Sequence, residues 1–445
     1  MEEICYNLDM TELLENYKQD MKEYLKEEYD AYISSFEQEP YSGLRVNTNK
    51  ISVEDFLEIF PYKLEPIPWT NDGFYYNSED PVSKHPYYYA GLYYIQEPSA
   101  MLPAQVLPVQ ENEWVLDTCA APGGKSTKLA TKLKNTGVLV SNDISASRCQ
   151  ALIKNLERFG TKNMIVTSCD IDKLVNYFPE CFDKILIDAP CSGQGMFRKE
   201  KHLIKAYEER NDSYYAPIQK SIIENALKLL KNGGQLVYST CTFSPKEDEE
   251  VIQYAMSICP ELKVLPIQQY PGFVSNEYGT KLFPHRVKGE GHFVSLLQKG
   301  EKTDIVSSRN KETKFSFESF SITSSNAHQE TIKDNVYLVP NLLIDTKGLR
   351  ILRSGLLLGE QKKNRFEPSG QLALALRMKE CKNVINLSAS DPRVIKYLKG
   401  ETIDTKDIKS KDGYVLICVD TFPLGFAKVS KGICKNKYPK GWIYR

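Results

Sequence analysis

Near the amino terminus the apolar residues fall at helical spacing. Within residues 9–36, Leu13, Leu14, Tyr17, Met21, Tyr24 and Leu25 recur among glutamates and lysines, which predicts an amphipathic helix. A mixed stretch follows to about residue 100, rich in proline and tyrosine and including "HPYYYAGLYYIQEPSA". From about residue 113 the rhythm changes. The short apolar runs "EWVLDTC", "TGVLVSND", "NMIVTSCD", "FDKILIDAPC" and "GGQLVYSTCT" alternate with helical stretches such as "GKSTKLATKL", "SASRCQALIKNLERFG" and "IQKSIIENALKLLKNGG". Ser145 stands at the N-cap position of the second of these helices. "HFVSLLQK", near 292–299, reads as the last strand. Short buried strands separated by helices predict an α/β fold, a doubly wound and mostly parallel Rossmann-like sheet.

The pattern also divides the chain. An N-terminal helical and mixed region spans 1–100, and the α/β domain spans 101–300. Residues 301–335 are polar and rich in serine and threonine, and read as a linker or an exposed excursion. Two smaller units follow, one over 336–384 and one over 385–445, the latter with short strands such as "GYVLICVD" among Gly/Pro turns. A length of 445 residues agrees with more than one domain.

Composition narrows the classes. With 41% hydrophobic and 26% charged residues this is a globular chain. No run of 18 apolar residues occurs, and the start "MEEICYNLDM" is acidic with no apolar signal core, so a cytoplasmic protein without membrane association is expected. Eleven cysteines without a C-x-x-C pair argue against a zinc ribbon or disulfide framework, and five dispersed histidines give a metal site little support. Reduced thiols leave individual cysteines free to be chemical. The net charge of -1 hides an asymmetry. Residues 1–40 carry 12 acidic against 3 basic residues, whereas residues 346–445 carry 21 Lys/Arg against 9 Asp/Glu. The basic tail is either a footprint for a phosphate backbone or a solvated lysine-rich surface.

In "LDTCAAPGGKSTKL", over 116–129, the "GGKST" resembles a triphosphate loop. A Walker loop places a glycine where this chain has Cys119, so no ATPase is implied. In a doubly wound sheet, ligands lie outside the carboxyl ends of the strands. After the first strand come Asp117 and the loop Cys119, Ala120, Ala121, Pro122, Gly123, Gly124 and Lys125. Small residues there let backbone amides approach a ligand, and the helix start favours a carboxylate. After the second strand comes Asp143, 26 residues beyond Asp117, placed to accept ribose hydroxyls. After the third comes Asp170, placed for the amine of an adenine. Loop and acids describe a nucleoside with a short charged tail. S-adenosylmethionine fits, whereas NAD fits worse because G-x-G-x-x-G is absent. Each aspartate taken alone is equally a helix cap.

Two further strand ends carry cysteines. "DAPCSGQG" sets Cys191 three residues after Asp188, and "YSTCTFSPKEDEE" sets Cys241 after the next strand. Inert packing is the usual fate of a buried cysteine, but two of them would face the ligand loop. A thiolate beside a methyl donor suggests methylation of a pyrimidine carbon. Carbon 5 of cytosine becomes nucleophilic once a thiolate adds at carbon 6, and an acid must meet ring nitrogen N3, a role within the reach of Asp188.

"DTCAAPGGKSTKLA", "DAPCSGQGMFRK" and "YSTCTFSPKEDEEV" resemble the three main motifs of the Sun-type (Fmu/Nop) RNA cytosine-5 methyltransferases, over about residues 40–300. The resemblance implies that Cys241 is the nucleophile and that Cys191 assists release of the methylated RNA, an order the residues alone leave open. It also implies S-adenosyl-L-methionine as cofactor, held by residues 119–125, Asp143, Asp170 and Asp188. The "GMFRK" ending, together with "LLLGEQKKNRFEPSG" and "PLGFAKVSKGICKNKYPKGWIYR", is similar to the bacterial RsmF-type small-subunit rRNA branch, which implies a PUA-like RNA-binding module over 385–445. Gln194 departs from the glutamate expected in that branch ("CSGEG"). The expected partner is RNA, either naked 16S rRNA or an assembled small subunit, acted on by a monomer that holds no metal. A tRNA methyltransferase of the same family and an inactive RNA-binding assembly factor are the alternatives.

Overall fold

The computed structural model of the chain describes residues 13–301, 312–317, 320–342 and 344–444. At its centre is a ten-stranded sheet. Its strands, in chain order, are β1 (Trp114–Asp117), β2 (Val138–Asn142), β3 (Met164–Thr167), β4 (Phe182–Asp188), β5 (Leu230–Thr240), β6 (Leu262–Leu265), β7 (Phe273–Ser275), β8 (Thr280–Leu282), β9 (His292–Lys299) and β10 (Ile351–Ser354). They lie in the order β7-β8-β9-β5-β4-β1-β2-β3-β10, with β6 paired to β9. The run from β3 to β5 is parallel. Strands β9 and β10 flank it antiparallel. The doubly wound expectation holds.

Helices cover both faces of the sheet, among them α1 (Gly124–Leu133), α2 (Ala146–Arg158), α3 (Ile171–Val175), α4 (Asp212–Leu229) and α5 (Glu249–Ile258). Alternate strand residues serve opposite layers. Val115, Leu139, Val166 and Leu186 pack with Leu129, Leu152 and Leu156 from α1 and α2. Their neighbours Leu116, Val140, Ile165 and Ile185 pack with Ile223, Ala226 and Ile252 from α4 and α5. Burial on both faces is why these strands read as unbroken apolar runs rather than alternating ones. The chain order reverses between β1 and β4, which opens a crevice at their carboxyl ends.

The amino-terminal helix is broken in two. Glu15–Leu25 ends at Lys26, whose φ of 52° lies in the left-handed region, and the chain resumes as Tyr29–Ser34. The bend folds Tyr32 back on Tyr17, with the hydroxyls 2.5 Å apart. Both rings are buried with Phe197, Tyr207 and Phe243, so this acidic segment packs beside the cysteine motifs. The expected single helix over 9–36 lies outside the described residues for 9–12.

A four-stranded sheet follows, in the order Leu64–Pro66, Gly73–Tyr76, Ser42–Val46 and Tyr93–Ile95. The tyrosine-rich stretch is packed structure. Tyr87, Tyr89 and Tyr93 are buried in a core shared with Ile385, Val394, Tyr397 and Trp442 from the far end of the chain.

The stretch read as a linker carries strands at Glu312–Ser316, Ser321–Ser325 and Ala327–Ile332. Serine and threonine dominate its composition and mask Phe320 and Ile322, which are buried at alternate positions as a strand requires. Residues 302–311 and 318–319 of that stretch lie outside the described residues. Strand β10, read from sequence as part of a separate unit, pairs with β3 and covers an edge of the large sheet. Residues 384–436 form a five-stranded sheet in the order Val384–Leu387, Gly413–Val419, Phe422–Ser430, Ile433–Asn436 and Ile403–Asp404. Among the described residues no helix is long and apolar enough to cross a membrane, and no cluster of three or more His, Cys, Asp or Glu side chains could hold a metal.

Candidate active site

Strand β1 delivers Asp117 to the crevice, and the turn after it forms the loop 119–125. Gly123 caps α1 at φ 113°, a conformation that disfavours any side chain, and a Cβ there would lie 3.1 Å from Leu152. It offers no side-chain acceptor to the first helical N–H groups. The first amides of α1 are therefore left without a side-chain cap. Ala120 N–H donates to the Asn142 carbonyl (2.8 Å), and Ala121 N–H to Asp143 Oδ2 (3.2 Å). Asn155 Nδ2 donates to the Pro122 carbonyl (2.9 Å). The Cys119 thiol receives a hydrogen bond from Thr118 (3.7 Å), and burial pushes it up to about 12, so it stays neutral.

Beneath the loop Asp117 is fully buried. Ser126 Oγ donates to its Oδ2 (2.6 Å), while Oδ1 has no hydrogen-bond partner among the described residues. Burial raises this carboxyl to about 7, against the opposing Ser126 hydrogen bond. A buried acceptor without a donor costs stability unless a ligand meets it. An ammonium group would.

Asp143 is buried at the end of β2. Its Oδ1 accepts Ser145 N–H (2.9 Å), and Arg148 pairs with Oδ2 (3.2 Å) while donating to the Ala121 carbonyl (2.6 Å). Both readings of this residue meet here, since it ties the loop to the start of α2. Asp170 stands apart. It occupies the N-cap position of α3 beyond β3, is exposed, and makes no side-chain capping bond.

At the end of β4, Asp188 takes hydrogen bonds from Lys125 Nζ to Oδ2 (2.7 Å) and from Ser239 Oγ to Oδ1 (2.9 Å). Burial, the largest single influence, works to raise its carboxyl, but the Lys125 ammonium, His292 and both hydrogen bonds together outweigh it, and the net shift is downward. His292 Nε2 lies 3.9 Å from Oδ1. Its imidazole is pushed down to about 4, first by burial and then by Lys125, so it is neutral. Behind it run Ser99 (3.3 Å from His292 Nδ1) and Glu97 (2.5 Å from Ser99 Oγ).

The two cysteines meet. Cys191 Sγ and Cys241 Sγ are 3.2 Å apart, and Cys241 N–H donates to Cys191 Sγ (3.4 Å). Gln194 braces their turns: Phe243 N–H donates to its Oε1 (3.1 Å), and its Nε2 donates to the Tyr207 hydroxyl (3.2 Å). An amide can accept and donate in this way, and a carboxylate cannot, so Gln194 serves here without a charge. The strand end before Cys241 is locked by Thr240 Oγ1 donating to Asp248 (2.6 Å), with Lys281 donating to the Phe243 carbonyl (2.9 Å) and to Glu249 (2.9 Å).

The sequence-selected loop, Asp143, Asp188, Cys191 and Cys241 thus converge on one sheet edge, with Asp170 at its margin. Several supporting residues escaped notice. Arg45 from the N-terminal region is buried and donates to the Gly124 carbonyl (2.9 Å) and to Thr127 (2.7 Å), bracing the start of α1. Arg45, Lys281 and His292 lie in no motif. Glu247 could have been found, because it lies in the acidic run after Cys241.

Family models match in chain order: the N-terminal domain of 16S rRNA methyltransferase RsmF over 13–98, 16S rRNA methyltransferase RsmB/F over 104–298, the RsmF rRNA methyltransferase first C-terminal domain over 314–376, and the methyltransferase RsmF PUA domain over 384–444. The ribosomal RNA small subunit methyltransferase F of Vibrio campbellii is 32% identical over 447 residues, covering 92% of this chain and 93% of its own. The chain belongs to the RsmF family of 16S rRNA methyltransferases. The protein of the same name from Erwinia tasmaniensis is also 32% identical, over 93% of both chains. A methyltransferase homolog protein from Pyrococcus horikoshii, known by crystal structure, superposes with a TM-score of 0.54 at 30% identity, covering 64% of this chain and 100% of that one. In this RsmF-family chain the paired cysteines lie within the region matched by the methyltransferase model, and the matched N-terminal and PUA regions share a buried core.

Proposed function

We propose that this protein transfers a methyl group from S-adenosyl-L-methionine to carbon 5 of a cytosine in 16S rRNA, through a covalent bond between Cys241 and carbon 6. The observation that carries this reading is the pair of sulfurs 3.2 Å apart beside the Lys125–Asp188 ion pair.

The residues present fit the cofactor. The unpartnered Asp117 Oδ1 suits its ammonium, and the first amides of α1 suit its carboxylate. Asp143 and Asp170 fall to ribose and adenine. A carboxylate has about four acceptor positions, and Asp143 already spends three on Ser145, Ala121 and Arg148. Holding both ribose hydroxyls therefore requires the exposed Arg148 side chain to leave Oδ2. When bound, the cofactor supplies the methyl group.

Cys241 attacks carbon 6 as the thiolate, and the ring electrons move towards N3. The Lys125–Asp188 pair delivers a proton there. Asp188 is held ionised, so the proton is drawn from Lys125 through the carboxyl group. Carbon 5 then takes the methyl group, and the N3 proton returns to the pair. Loss of the carbon-5 proton to solvent re-forms the ring double bond and expels the Cys241 thiolate. Cys191, in contact with the departing sulfur, donates a hydrogen bond that aids release.

The test is transfer of labelled methyl to naked 16S rRNA, assembled small subunits and bulk tRNA in parallel, with the nucleoside identified after digestion. Label as 5-methylcytosine in rRNA or in subunits supports the proposal and fixes the stage of action. Label in tRNA alone keeps the chemistry and moves the substrate. Cofactor binding without transfer to any RNA overturns the catalytic reading in favour of an assembly factor.

A further inference from the structure

Nothing in the motif spacing says why one of two neighbouring cysteines should attack while the other waits. The answer lies one layer deeper. Glu247, six residues beyond Cys241, is fully buried. Its carboxylate accepts Ser192 N–H at Oε2 (3.0 Å), the Ser192 hydroxyl at Oε1, and Gln219 Nε2 at Oε2 (2.8 Å). The same Gln219 nitrogen donates to the Pro190 carbonyl (2.9 Å). Residues on both sides of Cys191 are thus clamped to one carboxylate. Ser192 Oγ also lies 2.9 Å from Thr242 Oγ1, which joins the clamp to the residue after Cys241. Tyr238, on β5, donates to the Glu247 carbonyl (2.6 Å).

Every one of the three donors to this carboxylate is neutral, and every contact presents a hydrogen. Such a set favours the ionised form and leaves its charge unpaired. The groups that face it include Cys191, Asp212, Asp248, Tyr207, Tyr215 and Tyr238, and the cations of the neighbouring elements pair with other carboxylates, Lys246 with Asp212 (3.3 Å) and Lys281 with Asp248 (3.3 Å) and Glu249 (2.9 Å). Burial raises the Glu247 carboxyl, and its hydrogen bonds from Ser192 and Gln219 oppose that rise. The Cys191 thiol is pushed well above the ordinary thiol range, first by its hydrogen bond to Cys241, then by burial, the Cys241 sulfur and Glu247.

We propose that Glu247 is the positioning residue that divides the labour of the two cysteines: clamped to the turn carrying Cys191, its uncompensated charge keeps the proton on Cys191 and leaves Cys241 as the sulfur free to attack. A thiolate is the nucleophile and a thiol is not. The protonated Cys191 is then a hydrogen-bond donor to the Cys241 sulfur, both while it awaits substrate and as it leaves carbon 6. The inference rests on the reading that Cys241 attacks, but its deciding measurement, the order of alkylation, needs no RNA.

The experiment is alkylation of the full-length protein by iodoacetamide between pH 6 and 10, with the Cys191 and Cys241 peptides quantified by mass spectrometry. In the wild-type protein Cys241 is alkylated ahead of Cys191. In Glu247→Gln, which removes the charge and keeps an acceptor for Ser192, the pH midpoint for Cys191 falls and its rate at neutral pH rises about tenfold, the effect of a one-unit change in thiol pKa. Methyl transfer by that variant loses kcat while KM for RNA stays unchanged, and Glu247→Asp restores part of the wild-type order. If Cys191 reacts first in the wild-type protein, the proposal fails even should the variant not fold. If Glu247→Gln folds and alkylates in the wild-type order with the wild-type midpoint, Glu247 is a structural brace and nothing more. Label that appears on a base other than cytosine would instead defeat the functional reading and leave the alkylation order standing.

Discussion

The carboxyl edge of the large sheet and the junction between the two ends of the chain are both buried, yet they are built by opposite rules. At the sheet edge, ion pairs and hydrogen bonds converge from short segments, and among the described residues two carboxyl oxygens, Asp117 Oδ1 and Asp248 Oδ2, have no hydrogen-bond partner. At the junction, Tyr87, Tyr93, Ile385, Val394, Tyr397 and Trp442 fill a common apolar core. Its buried hydroxyls find carbonyls: Tyr93 donates to the Val82 carbonyl (2.6 Å) and Tyr397 to the Phe426 carbonyl (2.9 Å). The first region keeps a buried acceptor open on Asp117, whereas the second fills its interior with apolar side chains from both ends of the chain.

If that contrast is sound, the two regions respond differently to substitution. The largest effect is expected at Cys241. Cys241→Ala removes the nucleophile and lowers methyl transfer by about 10⁴-fold or more, while thermal unfolding and cofactor affinity stay near wild type. Cys191→Ala keeps the attack and impairs release, so a covalent protein–RNA adduct accumulates and is visible as a slower band on a denaturing gel. Normal turnover by Cys191→Ala without an adduct would break the two-cysteine account.

Much of the sheet edge was legible in the sequence because its chemistry lies in contiguous motifs that begin where strands end. Apolar runs fixed β1, β2, β3, β4, β5 and β9, and the residues after them could be named. What stayed hidden is whatever reaches the site from elsewhere. Arg45 arrives from a different sheet to brace Gly124, and Lys281 comes from β8 to hold the Phe243 carbonyl. Neither contact leaves a local pattern. The partners of the tyrosine-rich stretch leave no local sign for the same reason, since they lie far along the chain, as between Tyr87 and Asp420, 333 residues apart. The strands after residue 311 were hidden by averaging, since a few alternating apolar positions disappear in a Ser/Thr-rich composition.

A smaller effect separates the regions by pH. The Asp117 carboxyl is raised to about 7 by burial. A carboxyl raised in the folded state stabilises the protein fully below its unfolded value near 4, and that contribution is lost as pH rises through about 7. An ammonium at Oδ1 favours the ionised form, so cofactor binding releases a proton and affinity rises between pH 6 and 8. Calorimetry in buffers of different ionisation enthalpy measures that release. Asp117→Asn is expected to flatten the pH dependence and weaken binding, whereas substitutions at the junction leave it untouched. An unchanged profile in the variant would place the ammonium elsewhere.

The smallest expected effect lies at the junction and sharpens the comparison most. Tyr87 donates its hydroxyl to Asp420 Oδ2 (2.9 Å), which also receives Ala389 N–H (3.0 Å). Burial raises the Tyr87 phenol, and the hydrogen bond to Asp420 and its charge add to the rise, so the group is a neutral donor across the whole working range. Tyr87→Phe removes one donor and leaves the carboxylate its backbone partner. The loss is therefore the net worth of one hydrogen bond to a charged group, about 1.5–3 kcal/mol, rather than the larger penalty of a stranded charge. Denaturant melts of the whole chain give this number. Methyl transfer to a short RNA that reaches only the crevice should keep its kcat, because no hydrogen bond from Tyr87 runs to the sheet edge. A fall in kcat with stability intact would show that the two regions are coupled, and that the site depends on how the ends of the chain are joined.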